Sequence, residues 1–238
     1  AMWSWATWCM SLMAQKSYQL QSPDRKLQTV VTVGDNVEFS LTHDGTEVLA
    51  PSAISMTLQN GEVLGAKPKV SKVTKGSVDK VIPSPFYKKA EVSDIYNEMT
   101  ISFRGDYSIA FRLYNDGLAY RFITRKKGEI VVADEAATYN FSTDHKTFSA
   151  YVNSTKPTFE EQFSNSFEQP YVNEAITKLN DKRLMILPYL VDLGNGKKLC
   201  ITEADLEDYP GMFLNNATDK PSLKSVHAPY PKVKQQGG

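Results

Sequence analysis

Histidine and cysteine are nearly missing from this sequence: 238 residues hold three His and two Cys. His43, His145 and His227 are far apart, so the sequence gives no basis for a His-based zinc site or a Ser-His-Asp triad. Cys9 lies near the N-terminus and Cys200 near the other end, so no structural disulfide is expected. Cys200 reads as a small buried hydrophobe. Tryptophan stops early, at Trp3, Trp5 and Trp8. Neither sign of charge is in excess. The 27 basic residues balance 27 acidic ones, which removes the electrostatic case for nucleic acid or an anionic membrane as partner. No apolar run approaches the roughly 20 residues of a membrane-spanning helix. HExxH, paired CxxC, GxSxG, a Gly-rich phosphate loop and an EF-hand loop are all absent. Carboxylates are left as the only credible chemistry, and no convincing acid–base pair of them stands out.

What is present is a period of two. Residues 26–33, 37–42 and 54–58 read as strands separated by Gly34-Asp35-Asn36, by His43-Asp44-Gly45-Thr46 and, at the end, by Asn60-Gly61. Residues 67–82 form a basic, β-branched, exposed strand that Pro83 and Pro85 end. The clearest meander is 98–104, 107–114 and 118–124, turned at Gly105-Asp106 and Asn115-Asp116-Gly117. Arg112 and Arg121 read either as an inward functional pair or, more simply, as part of a solvated sheet face. Strands continue at 129–132 and 138–141. The pattern is an antiparallel, all-β sandwich or barrel.

Two segments break the rhythm. Residues 1–14 (AMWSWATWCMSLMA) are apolar and uncharged and resemble the core of a secretory signal, so they are expected to be a signal-peptide remnant. A cloning remnant or a misread start is the alternative. With a real signal the protein is expected to be periplasmic or secreted, and residues 15–238 are expected to be the folded domain, incomplete at its C-terminal end. Residues 151–180 read as a long loop with one helical turn, carrying Glu160, Glu161 and Glu168 among Phe and Tyr residues. Residues 183–193 (RLMILPYLVDL) then form the most apolar strand, expected at the centre of a sheet.

The most informative stretch is residues 195–214, NGKKLCITEADLEDYPGMFL. Asn195-Gly196 between two apolar runs is a hairpin turn. The strand that follows, 198–204, puts Leu199, Ile201 and Glu203 on one face. A carboxylate on an apolar face costs several kcal/mol unless something pairs with it. Glu203 is therefore either a strand-end carboxylate reaching solvent, or a metal ligand or substrate-facing group.

The same stretch resembles the N-terminal domain of glycoside hydrolase family 97. A turn, a strand ending in Glu-Ala, then Leu, an aromatic and Gly-Met follow in that family's order. SPDRKLQTVVTV, FRLYNDGLAYRF and HAPYP extend the resemblance from about Tyr18 to the C-terminus. The resemblance implies a large two-sheet super-sandwich similar to galactose mutarotases. It implies a calcium-dependent α-glucosidase or α-galactosidase, of a kind found in gut Bacteroidetes, acting on oligosaccharides in the periplasm. In that family a (β/α)8 barrel in the same polypeptide carries the catalytic acid and base. No strand-helix repeat occurs here, so no catalytic residue is assigned to this chain, which is expected to be inactive alone. The sandwich would donate a calcium ligand, Glu203, and substrate contacts. Glu160, Glu161 and Glu168 are the candidates for those contacts, with no choice among them. Asp205 and Asp208 are the alternative ligands. Two other classes stay open: a free carbohydrate-binding module, which needs a platform of exposed aromatics, and a mutarotase-type epimerase, against which the scarcity of His counts.

Overall fold

The computed structural model describes residues 15–229 other than 87, 167, 208 and 217–219. The expected signal remnant, residues 1–14, and the alternative ligand Asp208 lie outside the described residues. Sixteen strands are described: β1 Lys16–Gln21, β2 Leu27–Val33, β3 Val37–His43, β4 Thr46–Leu58, β5 Val63–Leu64, β6 Val70–Pro83, β7 Glu91–Phe103 and β8 Tyr107–Leu113. They continue with β9 Leu118–Thr124, β10 Val132–Asn140, β11 Lys146–Ser149, β12 Val172–Ala175, β13 Tyr189–Gly194, β14 Lys197–Ile201, β15 Met212–Asn215 and β16 Ser222–His227. Among the described residues, helix is confined to one turn, α1 Phe159–Gln162, and a 3-10 turn, Ile176–Lys178. The protein is all-β, and every strand pairing is antiparallel.

An eight-stranded sheet runs β1-β2-β3-β4-β10-β16-β15, with β5 beside β4. The opposing layer of the sandwich is divided into two four-stranded sheets, β6-β7-β8-β9 and β12-β11-β13-β14. One hydrophobic core joins all three sheets. Alternation drives this packing: in β2 every second residue from Leu27 is buried, and in β8 Ile109, Phe111 and Leu113 are wholly buried. Phe39 of β3 packs on Phe111 of β8 and Tyr120 of β9, with ring centroids 6.4 and 5.7 Å apart. Where β6 and β7 meet β1, Lys75 Nζ of β6 donates to the Gln19 carbonyl and Asn97 Nδ2 of β7 to that of Gln21.

The expected turns form as their residues dictate. Asp44-Gly45 and Asn195-Gly196 all have positive φ, the combination a two-residue hairpin of type I′ requires. The basic strand is exposed as expected. Past Val78 and Tyr96, β6 and β7 pair only with each other, forming an arm. Its tip carries Phe86, fully open to solvent.

Three expectations need correction. Residues 183–193 do not form one strand. Pro188 has no N–H to give a ladder, and β13 begins only at Tyr189. Before it, Met185 makes isolated bridges to Tyr151 and Leu214, tying β15 to the smaller sheet. Residues 151–180 are less loop-like than read, since β12 and the 3-10 turn lie within them. Cys200 is exposed, because it takes the outward position of β14, the edge strand, while Leu199 and Ile201 turn inward.

Candidate functional site

β14 ends at Ile201, so Glu203 stands two residues beyond it in a connection rather than in the ladder. The inward phase persists nonetheless: Leu199, Ile201 and Glu203 are each more covered than the residues between them. Both carboxylate oxygens of Glu203 accept the Met212 N–H, at 2.9 Å each. That bond closes the neck of the 202–211 loop and fixes where the carboxylate sits.

A second tether holds the far side of this loop. Tyr209 donates from its hydroxyl to Glu135 Oε2 at 2.7 Å. Glu135 lies on β10, whose bulges put Glu135, Ala137 and Tyr139 on the covered face. The backbone freed by those bulges is satisfied by hydroxyls. Ala137 N–H donates to Ser225 Oγ, Ala53 N–H to Thr138 Oγ1 and Asn140 N–H to Ser52 Oγ.

The result is a polar cluster where the two halves of the divided layer meet: Glu203 and Tyr209 from the loop, Glu135 and Tyr139 from β10, and Tyr120 from β9. Burial pushes the Tyr120, Tyr139 and Tyr209 phenols well above their ordinary range. The nearby Glu135 carboxylate pushes all three in the same direction, and that of Glu203 does so for Tyr139 and Tyr209. The three phenols are therefore neutral hydrogen-bond donors at physiological pH. His227 closes the cluster, its ring 6.3 Å from that of Tyr209, with Nδ1 buried and without a partner among the described residues.

Sequence reasoning found Glu203 and missed Glu135. The signal was of the same kind, a Glu two positions from an inward Ala and four from an inward Tyr, but the bulge in β10 broke the alternation. Asp205 is turned out to solvent at positive φ, 3.8 Å from Arg121 in a mostly exposed pair. Arg121 is thus not the inward partner of Arg112, which bonds Glu98 at 2.7 Å and lies over the Tyr96 ring.

Glu160, Glu161 and Glu168 are all exposed. Glu161 serves the cap of α1: its N–H donates to Thr158 Oγ1, whose hydroxyl in turn donates to Glu161 Oε2. Glu160 and Glu168 take no hydrogen bond from the described residues. The buried member of this segment is Gln162, which donates to the Lys156 and Lys182 carbonyls and accepts the Leu184 N–H. Phe163 packs on Phe213, which places the segment against β15, one residue from Met212.

Calcium takes six to eight oxygens. Among the described residues no group of three or more His, Cys, Asp or Glu is arranged to hold a metal. The Glu203 carboxylate, with only one N–H shared between its oxygens, keeps lone pairs to offer. This chain therefore fits calcium as the donor of one ligand, not as the whole site. Among the described residues, Phe86 and Tyr171 are the aromatic rings most open to solvent, on separate connections.

Comparison with known proteins bears on what this arrangement serves. Residues 20–232 match the family described as glycosyl-hydrolase 97 N-terminal. A retaining alpha-galactosidase of Bacteroides thetaiotaomicron is 46% identical over 230 residues, covering 96% of this chain and 35% of that protein. Among solved structures, a glycoside hydrolase family 97 enzyme from Pseudoalteromonas in complex with acarbose aligns at a TM-score of 0.74 and 22% identity, over 89% of this chain and 32% of its own. A beta-arabinopyranosidase aligns at 0.76 and 20% identity, over 90% and 36%. The chain thus spans about a third of the length of each relative, and the two structures speak to the fold alone.

Proposed function

Because the chain belongs to the glycosyl-hydrolase 97 N-terminal family, we propose that it is the N-terminal sandwich of an enzyme that cleaves α-galactosidic bonds of oligosaccharides. The observation that carries this is the 46% identity, sustained over 230 residues, to a retaining alpha-galactosidase. In this reading the catalytic carboxylates lie on a barrel domain outside this chain, against which the sandwich packs, and the chain alone does not turn over substrate. The whole enzyme works in the periplasm or outside the cell.

Glu203 is the ligand this domain gives to a shared calcium ion. The support is its inward phase, its fixed position on the Met212 N–H, and the lone pairs it keeps free. A calcium ion bound there supplies charge that orients the sugar and polarises a neighbouring group. This chain's part is to hold the carboxylate still, through the Glu203–Met212 neck and the Tyr209–Glu135 tether. Glu160 and Glu168, with no partners of their own, are the better placed of the three segment glutamates to contact sugar hydroxyls.

The test is hydrolysis of a nitrophenyl α-galactoside by the full-length protein and by the 238-residue chain. Turnover with retained configuration by the former and none by the latter is expected. Turnover by the chain above a Glu203→Ala control contradicts the assignment.

A further inference from the structure

The eight-stranded sheet is continuous, whereas the layer opposite it is divided between β9 and β14. Those two edges belong to neighbouring parts of one layer. Asp205, four residues past β14, reaches Arg121 in the middle of β9. The phase of β9 follows from the bonds at its two ends. Tyr114 N–H donates to the Gly117 carbonyl and Arg125 N–H to the Asp106 carbonyl, with one-to-one register between. Gly117, Ala119, Arg121 and Ile123 therefore turn their backbone groups to β8. The N–H and C=O groups of Leu118, Tyr120, Phe122 and Thr124 lie along the free edge. Among the described residues nothing bonds to them.

Among the described residues the other strands that end a sheet are blunted, and the unpaired side of β7 in the arm carries Glu91 and Asp94. β6 carries Lys72, Lys75, Lys80 and Pro83, β14 begins with Lys197 and Lys198, β12 and β15 are four residues long, and β1 starts at Lys16. β9 has seven residues, LAYRFIT, with no Pro, no Lys and no bulge, and one charge. An uncovered edge of that kind is a template for another strand. Its inward side chains agree in Phe122, which is only half-buried while its neighbour Ile109 on β8 is wholly buried.

We propose that the free edge of β9 seats one further strand, supplied by the part of the parent polypeptide that this chain does not span, which joins the divided layer across the gap toward β14. The chain covers 35% of the length of its Bacteroides relative, so ample polypeptide exists for the role. The polar cluster borders this edge: His227, at the end of β16, pairs with Met212 and packs on Tyr209, whose partner Glu135 neighbours Tyr120 of β9. The incoming strand binds by main-chain pairing and alternates apolar residues toward Tyr120 and Phe122. The inference rests on the chain being part of a longer protein, not on calcium or on the sugar.

Residue-resolved amide hydrogen exchange, on the full-length protein and on the 238-residue chain, tests it without reading activity. The Leu118, Tyr120, Phe122 and Thr124 amides are expected to exchange at least about 100-fold more slowly in the full-length protein. Those of Ala119, Arg121 and Ile123, bonded to β8, serve as the internal control, protected in both. Equal, fast exchange of the four edge amides in both proteins overturns the proposal. So does full protection in the 238-residue chain, whether it depends on concentration, as pairing with a second copy would, or not.

Discussion

The two halves of the divided layer are built on different principles. The β6–β9 sheet meets β1–β3 through an apolar and aromatic interior, with Ile101, Ile109, Phe111 and Leu113 wholly buried. The β11–β14 sheet is held by buried polar side chains that bond to backbone or to each other. Gln162 joins three segments. Asn215 reaches the Asp181 and Arg183 carbonyls, Asn216 those of Ile176 and Leu179, and Tyr189 shares a 2.6 Å hydrogen bond with Ser149. The first half is specified by periodicity, and substitution there costs volume. The second is specified by side-chain amides that donate to backbone carbonyls, although the Asn215 and Asn216 Oδ1 atoms have no partner among the described residues, and substitution there strands the carbonyls they serve. The Glu135–Tyr209–Glu203 cluster lies where these halves meet, between β10 and a loop that has no ladder bonds but is tethered twice.

That comparison can be tested from both sides. The largest effect is expected in the apolar half. Phe111→Ala should lower unfolding free energy by about 3–5 kcal/mol, read from urea midpoints, because the removed ring leaves a cavity. In the polar half, Gln162→Ala should cost about 2–3 kcal/mol although it removes little apolar surface, since two carbonyls and one N–H lose their partner. A loss below about 0.5 kcal/mol would show that the polar stitching is dispensable.

Alkali should separate the halves next. Burial holds the Tyr189 phenol at about 12, above its ordinary 10. The folded state thus favours the neutral form. Its contribution is complete below pH 10 and is lost as pH rises from 10 to 12, where the unfolded chain ionises first. Tyr189→Phe should accordingly lose about 2–3 kcal/mol less stability than the unmodified protein over that interval. Midpoints falling in parallel for both proteins would remove Tyr189 from the account. The smallest effect belongs to Arg121→Ala. Its pair with Asp205 is 61% and 73% exposed, so stability should move by less than about 0.5 kcal/mol.

The same contrast explains what could be read in advance. Alternation and paired turn residues announced β2, β3, β8, β9 and the Asn195-Gly196 hairpin, because both signals are local. Gln162, Asn215 and Asn216 gave no such signal, since each acts on carbonyls that only the fold brings near. β12 was hidden for the same reason: VNEA is short, polar and paired with a strand more than twenty residues away. Glu203 was legible because its parity with Leu199 and Ile201 survives the end of the strand. Glu135 was not, because a bulge shifts its register.

The central claim is that Glu203 serves a shared metal site and not merely its own loop. Glu203→Gln in the full-length protein tests this most directly, because the amide oxygen can still accept the Met212 N–H and keep the loop closed. Calcium affinity measured by titration calorimetry, alongside α-galactoside turnover, is expected to fall at least about tenfold, with an unchanged unfolding midpoint. Unchanged affinity and turnover in Glu203→Gln, with both lost in Asp205→Asn, would contradict the claim and move the ligand to Asp205.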